Sequence, residues 1–206
     1  MVKRRSKRPS ARPALSRSDL RKRAGEIRLV ITDSDGVLTD TGVYYGAAGE
    51  SFKRFSIRDG MGVRLLRAEG IDTAIITGET SPSVRQRAEK LRIRLTYLGV
   101  DDKAQRLQTI LAATRLGMHQ VAYIGDDVND LGIIRALQEH GLTAAPADAV
   151  PSVVKEVHFR CTKDGGKGAF REFADWILQL RQKKNAPGTR NEQLPEQRPT
   201  TLKVTA

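Results

Sequence analysis

The stretch from Ile27 to Thr39, IRLVITDSDGVLT, constrains this chain more than any other. An apolar run, Ile27–Ile31, leads into two carboxylates one residue apart, Asp33 and Asp35, and Gly36 follows at once. A short apolar run that ends in turn residues fits a buried parallel strand. Ligands of open α/β sheets bind outside the carboxyl ends of the strands, where this acidic pair would sit. Asp-x-Asp on such a loop can bind a divalent cation and still present one oxygen as a nucleophile.

The rest of the chain alternates strand and helix signals. Val43–Tyr45 and Phe52–Phe55 read as arms of a small hairpin that hangs over the strand end as a flap. Arg58 opens a helix to about Glu69, and Ile71–Thr77 is a second buried strand. Ser81-Pro82 supplies an N-cap and first turn for a helix to about Arg92. Leu95–Leu98 is a short strand, and Lys103 to Leu116 a helix capped by Asp101 or Asp102 and closed by Gly117. Val121–Ile124 is a strand that runs directly into GDDVND. A helix from about Val128 to Glu139, a strand near Leu142–Ala145 and a weak segment around Val153–Phe159 follow. The final helix, Ala169–Leu180, sets Phe170, Phe173, Trp176, Ile177 and Leu180 on one side, as a core face does. This order predicts an α/β domain with a parallel sheet flanked by helices on both faces. Asp33, Thr77 and Asp126 each fall at the end of an apolar strand, so one crevice should gather them.

Around that crevice the residue types suit one chemistry. Asp126, Asp127 and Asp130 add carboxylates to Asp33 and Asp35, while His119, His140 and His158 are scattered. An oxygen-only donor set selects Mg2+ over zinc, and a cation removes the mutual repulsion of clustered carboxylates. Thr77-Gly78 offers a hydroxyl and backbone N–H groups to an anion at a strand-to-helix turn, and Lys103 can add a positive charge. A nucleophilic carboxylate, a metal, a hydroxyl and a lysine suit phosphoryl transfer through an aspartyl-phosphate.

The net charge of +12 first suggests a nucleic-acid partner, so its location matters. Residues 1–26 carry ten Lys/Arg against two Asp/Glu, residues 181–206 six against two, and the segment between them is neutral. The expected organisation is a disordered basic tail over 1–26, a catalytic domain over 27–180 and a disordered tail over 181–206. The tails lack aromatic interleaving, so no specific nucleic acid is expected. No run approaches the roughly 18 apolar residues of a membrane span, and no signal-peptide core precedes the domain. The lone Cys161 excludes an internal disulfide and fits a reducing cytoplasm.

Taken together, DSDGV (33–37), ITG (76–78), Lys103 and GDDVND (125–130) resemble the four motifs of the haloacid-dehalogenase-like (HAD) phosphatases. FSIRDGMGV (55–63) and GGKGAFRE (165–172) resemble one branch, the 3-deoxy-D-manno-octulosonate 8-phosphate phosphatases and their relatives. The resemblance implies a Rossmann-like HAD fold and a Mg2+-dependent phosphatase acting on a phosphorylated 2-keto-3-deoxy sugar acid. It implies Asp33 as nucleophile and metal ligand, and Asp35 as acid and base whose backbone carbonyl also binds the metal. Thr77, Gly78 and Lys103 would hold the phosphate, Asp126 would complete the metal shell, and Asp127 and Asp130 would support it.

About 40 residues separate Asp35 from Thr77 and about 20 separate Lys103 from Asp126, too few for a cap domain of roughly 50 or more. Capless members of the family are homotetramers in which a neighbour covers the site, so a homotetramer is the implied assembly.

Substrate length stays open. Octulosonate phosphatases carry Arg after Ile-Thr-Gly, whereas this chain has Glu79, and Glu79 with Lys90 resembles the sister phosphatases of nine-carbon nononate 9-phosphates. Arg58, Glu79, Arg87 and Lys90 either meet the substrate or are solvated helix residues. A relative without activity, serving as a scaffold or regulatory domain, is the alternative class. The retained Asp33, Asp35, Thr77, Lys103 and Asp126 argue against it.

Overall fold

Six parallel strands form the central sheet in the order β5-β4-β1-β6-β7-β8. The strands are β1 (Leu29–Thr32), β4 (Asp72–Ile76), β5 (Leu95–Tyr97), β6 (Val121–Ile124), β7 (Leu142–Ala145) and β8 (Phe159–Arg160). A separate antiparallel hairpin pairs β2 (Thr39–Gly46) with β3 (Gly49–Phe55). The computed structural model describes residues 15–182.

Strand alternation divides the core in two, because successive side chains point to opposite faces. Val30, Ile75, Ala122 and Ile124 face α1 (Arg17–Glu26), α2 (Ile57–Ala68), α3 (Pro82–Leu91) and α7 (Ala169–Arg181). Leu29, Ile31, Ala74, Ile76 and Tyr123 face α4 (Lys103–Thr114), α5 (Leu131–Leu137) and α6 (Pro151–Val154). Each fully buried aliphatic side chain in these layers contributes about 1.5–3 kcal/mol. On α7 the expected apolar face is core: Phe170, Phe173 and Ile177 are fully buried, and Trp176 stacks on Phe159 at 4.6 Å.

Helix starts follow their caps. Ser56 accepts from the amides of Arg58 and Asp59, Ser81 from Val84 with Pro82 beside it, and Asp102 from Gln105. The crevice is built by register: Leu29 to Thr32 align with Asp72 to Ile75 on one side and with Val121 to Ile124 on the other. The chain therefore leaves β1, β4 and β6 at one edge of the sheet.

Several boundaries differ from expectation. Residues 17–26, expected within the basic tail, form α1 instead. Ser16 caps it, Ala24 is buried, and the Arg181 guanidinium holds its last carbonyls at Ala24 and Gly25. Its charges mask a helix because most of its surface is solvated and only one narrow stripe packs against α7. The expected helix 128–139 is a 3-10 turn, Val128–Asp130, followed by the shorter α5. The helix α4 closes on Arg115 in the left-handed conformation, φ 57°, ahead of Gly117. The weak segment near 153–159 resolves into the end of α6 and β8. Residues 1–14 and 183–206 of the expected tails lie outside the described residues.

Candidate active site

Asp33 sits directly after β1, where its amide donates to the Ile124 carbonyl of β6 at 3.0 Å. Its carboxylate is almost fully buried and receives two donors. The Ser34 amide reaches Oδ1 at 2.6 Å, and the Lys103 ammonium lies 2.7 Å from Oδ2. Lys103 begins α4 with its side chain 1% exposed, and it also contacts Asp130 Oδ1 at 2.6 Å. Tyr123 donates its hydroxyl to that same oxygen at 2.5 Å, while the amides of Asp126 and Asp127 donate to Oδ2 at 2.7 and 3.2 Å. Asp130 is thus saturated. It is an anchor that fixes Lys103 and the loop after β6.

Asp126 stands differently. Its Oδ1 is buried without a partner. Its carboxylate presses against Gly36: a Cβ at that position would lie 1.9 Å from Asp126 Oδ2, and Gly36 has φ +82°. Only glycine allows both the left-handed turn and this approach. Carboxylate oxygens of Asp33, Asp126 and Asp130 lie within 4.8 Å of one another. Since four donors already occupy Asp130, the free capacity belongs to Asp33 and Asp126. Burial and then the neighbouring Asp130 raise Asp33 to about 7, against the opposing pull of Lys103. Burial, then Asp33 and Asp130, raise Asp126 to about 8. Two carboxylates held this way favour protons or a cation, and the all-oxygen donor set fits Mg2+. Asp127 is exposed and turns its side chain back to the Val128 amide at 2.6 Å, away from that role.

Thr77 follows β4, the neighbour of β1, and is buried. Its hydroxyl accepts from the Glu79 amide at 3.2 Å, which folds the Thr77-Gly78-Glu79 turn that precedes α3. Asp35 lies two residues beyond Asp33 on the outgoing loop, and its Oδ1 accepts from Thr39 Oγ1 at 3.1 Å. That loop rests on Gly165 and Gly166: a Cβ on Gly165 would meet the Gly36 carbonyl oxygen at 2.0 Å, and one on Gly166 the Asp40 amide nitrogen at 2.5 Å. The glycines of the GGKG stretch allow this backbone contact.

The four residues considered for substrate contact scatter. Arg87 is engaged within the chain, donating to the Ser56 carbonyl at 2.7 Å and lying over the Phe55 ring. Arg58 is exposed and lines a groove with Lys167, Arg171 and Trp176. Glu79 is exposed at the turn, close enough for its charge to act on Lys53. Lys90 is exposed near the far end of α3, about 12 Å along the helix from its start. A cavity of about 670 Å³ opens at the opposite end of the strands, lined by Arg28, Arg67, Asp72 and Arg94; it contains none of the clustered carboxylates.

Two residues escaped the sequence reading. Lys53 on β3 reaches both oxygens of Asp35 at 2.8 Å, and Tyr123 reaches Asp130. In the sequence Lys53 lies between Phe52 and Arg54 and reads as a solvated charge, and Tyr123 reads as an ordinary strand aromatic. The one available signal is alternation along β3, which turns Lys53 away from the exposed Phe52 and Arg54.

No family model matches the chain. The 3-deoxy-D-manno-octulosonate 8-phosphate phosphatase of Yersinia pestis is 42% identical over 160 residues, covering 78% of this chain and 84% of that protein. Among solved structures, the cobalt-bound deoxy-D-mannose-octulosonate 8-phosphate phosphatase of Haemophilus influenzae superposes with a TM-score of 0.74 at 40% identity, covering 77% of this chain and 91% of that one. The Moraxella catarrhalis 3-deoxy-D-manno-octulosonate 8-phosphate phosphatase, in complex with magnesium, phosphate and KDO, gives a TM-score of 0.73 at 33% identity, with 80% and 92% covered.

Proposed function

We propose that this chain, which belongs to the family of 3-deoxy-D-manno-octulosonate 8-phosphate phosphatases, removes the terminal phosphate of 3-deoxy-D-manno-octulosonate 8-phosphate with Mg2+. The observation that carries the reading is the convergence of two carboxylates with free capacity, the buried Asp33 and the half-buried Asp126 with its unpartnered Oδ1, beside a buried lysine at the carboxyl edge of the sheet.

In this reading Asp33 attacks phosphorus and forms an aspartyl-phosphate while the sugar oxygen leaves. Asp35 gives a proton to that oxygen, then takes one from the water that attacks the phosphoenzyme. Lys103, Thr77 and the Gly78 amide bind the phosphoryl oxygens, where fixed donors need no reorganisation as charge develops. Asp130 keeps Lys103 aimed at the phosphate and sets the loop that carries Asp126. Asp33, Asp126 and the Asp35 carbonyl would hold Mg2+, which would supply positive charge to offset that of the phosphate.

Assembly belongs to the same reading. Tyr44, Tyr45 and Phe52 are 54%, 74% and 59% exposed on the hairpin, and Tyr44 stacks on Phe52 at 4.7 Å. A clustered exposed aromatic face marks an interaction surface, and a second copy of the chain is the partner a homotetramer supplies. Lys90, remote from its own Glu79, would then serve a neighbouring site. A cytoplasmic setting suits the free buried thiol of Cys161, and no helix among the described residues is long and apolar enough to cross a membrane.

The test compares phosphate release from the octulosonate 8-phosphate and a nononate 9-phosphate with Mg2+. The eight-carbon ester is expected to turn over with the higher kcat/KM. Preference for the nine-carbon ester would transfer the assignment to that substrate and give Glu79 and Lys90 the specificity role. Release from neither ester by the folded protein would remove the enzyme reading for both.

A further inference from the structure

Lys53 takes no part in the phosphoryl transfer itself, yet its ammonium is buried directly against Asp35. Its side chain is 1% exposed, and its ammonium donates to Oδ1 and to Oδ2 of Asp35 at 2.8 Å each. Strand alternation aims it there, since Phe52 and Arg54 on either side face outward, Phe52 on Tyr44 and Arg54 on Asp40. A second anchor holds the ammonium from behind: Glu50 Oε2 lies 3.6 Å away, and Glu50 Oε1 accepts a hydrogen bond from Ser81 at the start of α3. The chain therefore spans from the Asp35 loop through Lys53 and Glu50 to the turn that follows Thr77.

This arrangement does more than neutralise charge. Asp35 Oδ1 receives two donors, Thr39 at 3.1 Å and Lys53, whereas Oδ2 receives Lys53 alone. Two donors on one oxygen and one on the other stop the carboxyl from rotating about its last torsion. The Asp35 side chain still keeps 24% of its surface open. Oδ2 is left as the oxygen with capacity to exchange a proton.

We infer that Lys53 is a positioning residue for Asp35, holding its carboxyl plane so that Oδ2 meets the leaving oxygen. The inference rests on the reading of Asp35 as acid and base. In the first half-reaction the proton on Oδ2 passes to the ester oxygen as the P–O bond breaks and the Asp33–P bond forms. In the second, water gives a proton to Oδ2 as its oxygen bonds to phosphorus and the Asp33–P bond breaks. Lys53 gains and loses nothing in either step; it fixes the direction of transfer.

Leaving-group dependence separates this role from general support of the fold. An alkyl sugar phosphate needs its departing oxygen protonated, whereas p-nitrophenyl phosphate expels a stable phenolate without help. The experiment measures kcat/KM, which reports the first half-reaction, for the octulosonate 8-phosphate and p-nitrophenyl phosphate with Mg2+. The proteins compared are the unmodified chain, Lys53→Met, Lys53→Arg and Asp35→Asn. General acid catalysis typically contributes about 10²–10⁴-fold. Lys53→Met should therefore lose about 100-fold on the sugar ester and only a few-fold on the aryl ester, and Lys53→Arg should recover part of the difference.

Equal losses on both esters for Lys53→Met, or no loss at all, would overturn the inference while a selective loss in Asp35→Asn kept the reading of Asp35 intact. Equal losses on both esters for Asp35→Asn would overturn the reading of Asp35 and the role of Lys53 with it. Should Lys53→Met fail to fold, Lys53→Arg decides: a loss confined to the sugar ester supports positioning, and equal loss contradicts it.

Discussion

Asp33 and Asp126 stand at about 7 and about 8 against an ordinary carboxylate value of 3.8. Burial is the first cause for each, and the neighbouring carboxylates add to it. In the cation-free protein the folded state therefore keeps protons that the unfolded chain has released. The stability from these groups is fully present below their unfolded values and is lost as pH rises through their folded ones. Mg2+ takes the place of those protons, so its stabilising effect should grow with pH between about 5 and 8. At a Mg2+ concentration of about 100 times Kd the gain reaches about 2.7 kcal/mol. Thermal unfolding at pH 5.5 and pH 8, each with EDTA and with Mg2+, measures it; a gap that stays constant or narrows with pH would contradict the site. The acidic residues and Lys103 were legible from sequence because each follows an apolar strand or opens a helix, positions that topology brings together. Asp130's role was only partly legible. Its contacts with Tyr123 and with the Asp126 and Asp127 amides depend on side-chain packing and the tight turn after β6, which periodicity does not reveal.

Among the elements, the sheet and its covering helices follow the sequence pattern closely, because parallel strands buried on both faces leave continuous apolar runs. Beyond the shortened α5, two elements depart from it most. Helix α1 hides within a basic segment, since its apolar contact is limited to Leu20, Ala24 and the following Ile27, while Arg23 packs by hydrogen bonds to the Gln138 and Gly141 carbonyls. The hairpin is longer than its apolar residues suggest, because polar Thr39 and Glu50 also pair in its ladder. That hairpin points in two chemical directions. One face puts Lys53 and Glu50 against the catalytic loops, and the other exposes Tyr44, Tyr45 and Phe52. Burying such an aromatic side chain contributes about 1.5–3 kcal/mol. Replacing Tyr44 and Phe52 together by Ser should dissociate the proposed homotetramer, with sedimentation shifting from tetramer toward monomer. A tetramer unchanged by the pair would place the contact elsewhere on the molecule.

At the scale of the whole molecule, a cap-free sheet leaves its carboxyl edge open, and among the described residues the hairpin covers part of it through Lys53 on Asp35 and Glu50 on Ser81. The four sequence motifs converge there because β1 lies between β4 and β6. Substrate length was not legible, because Glu79 with Lys90 resembles the nine-carbon branch whereas FSIRDGMGV (55–63) resembles the eight-carbon one. In the proposed mechanism Asp33 carries the phosphoryl group. Acid quenching during turnover of the octulosonate 8-phosphate, followed by borohydride reduction, would convert an acyl phosphate at that position into homoserine. Peptide mass analysis should find homoserine at residue 33 in the unmodified chain with Mg2+ and none in Asp33→Asn, which should also release no phosphate. Sustained phosphate release by Asp33→Asn, or the reduced residue at another carboxylate, would contradict the account.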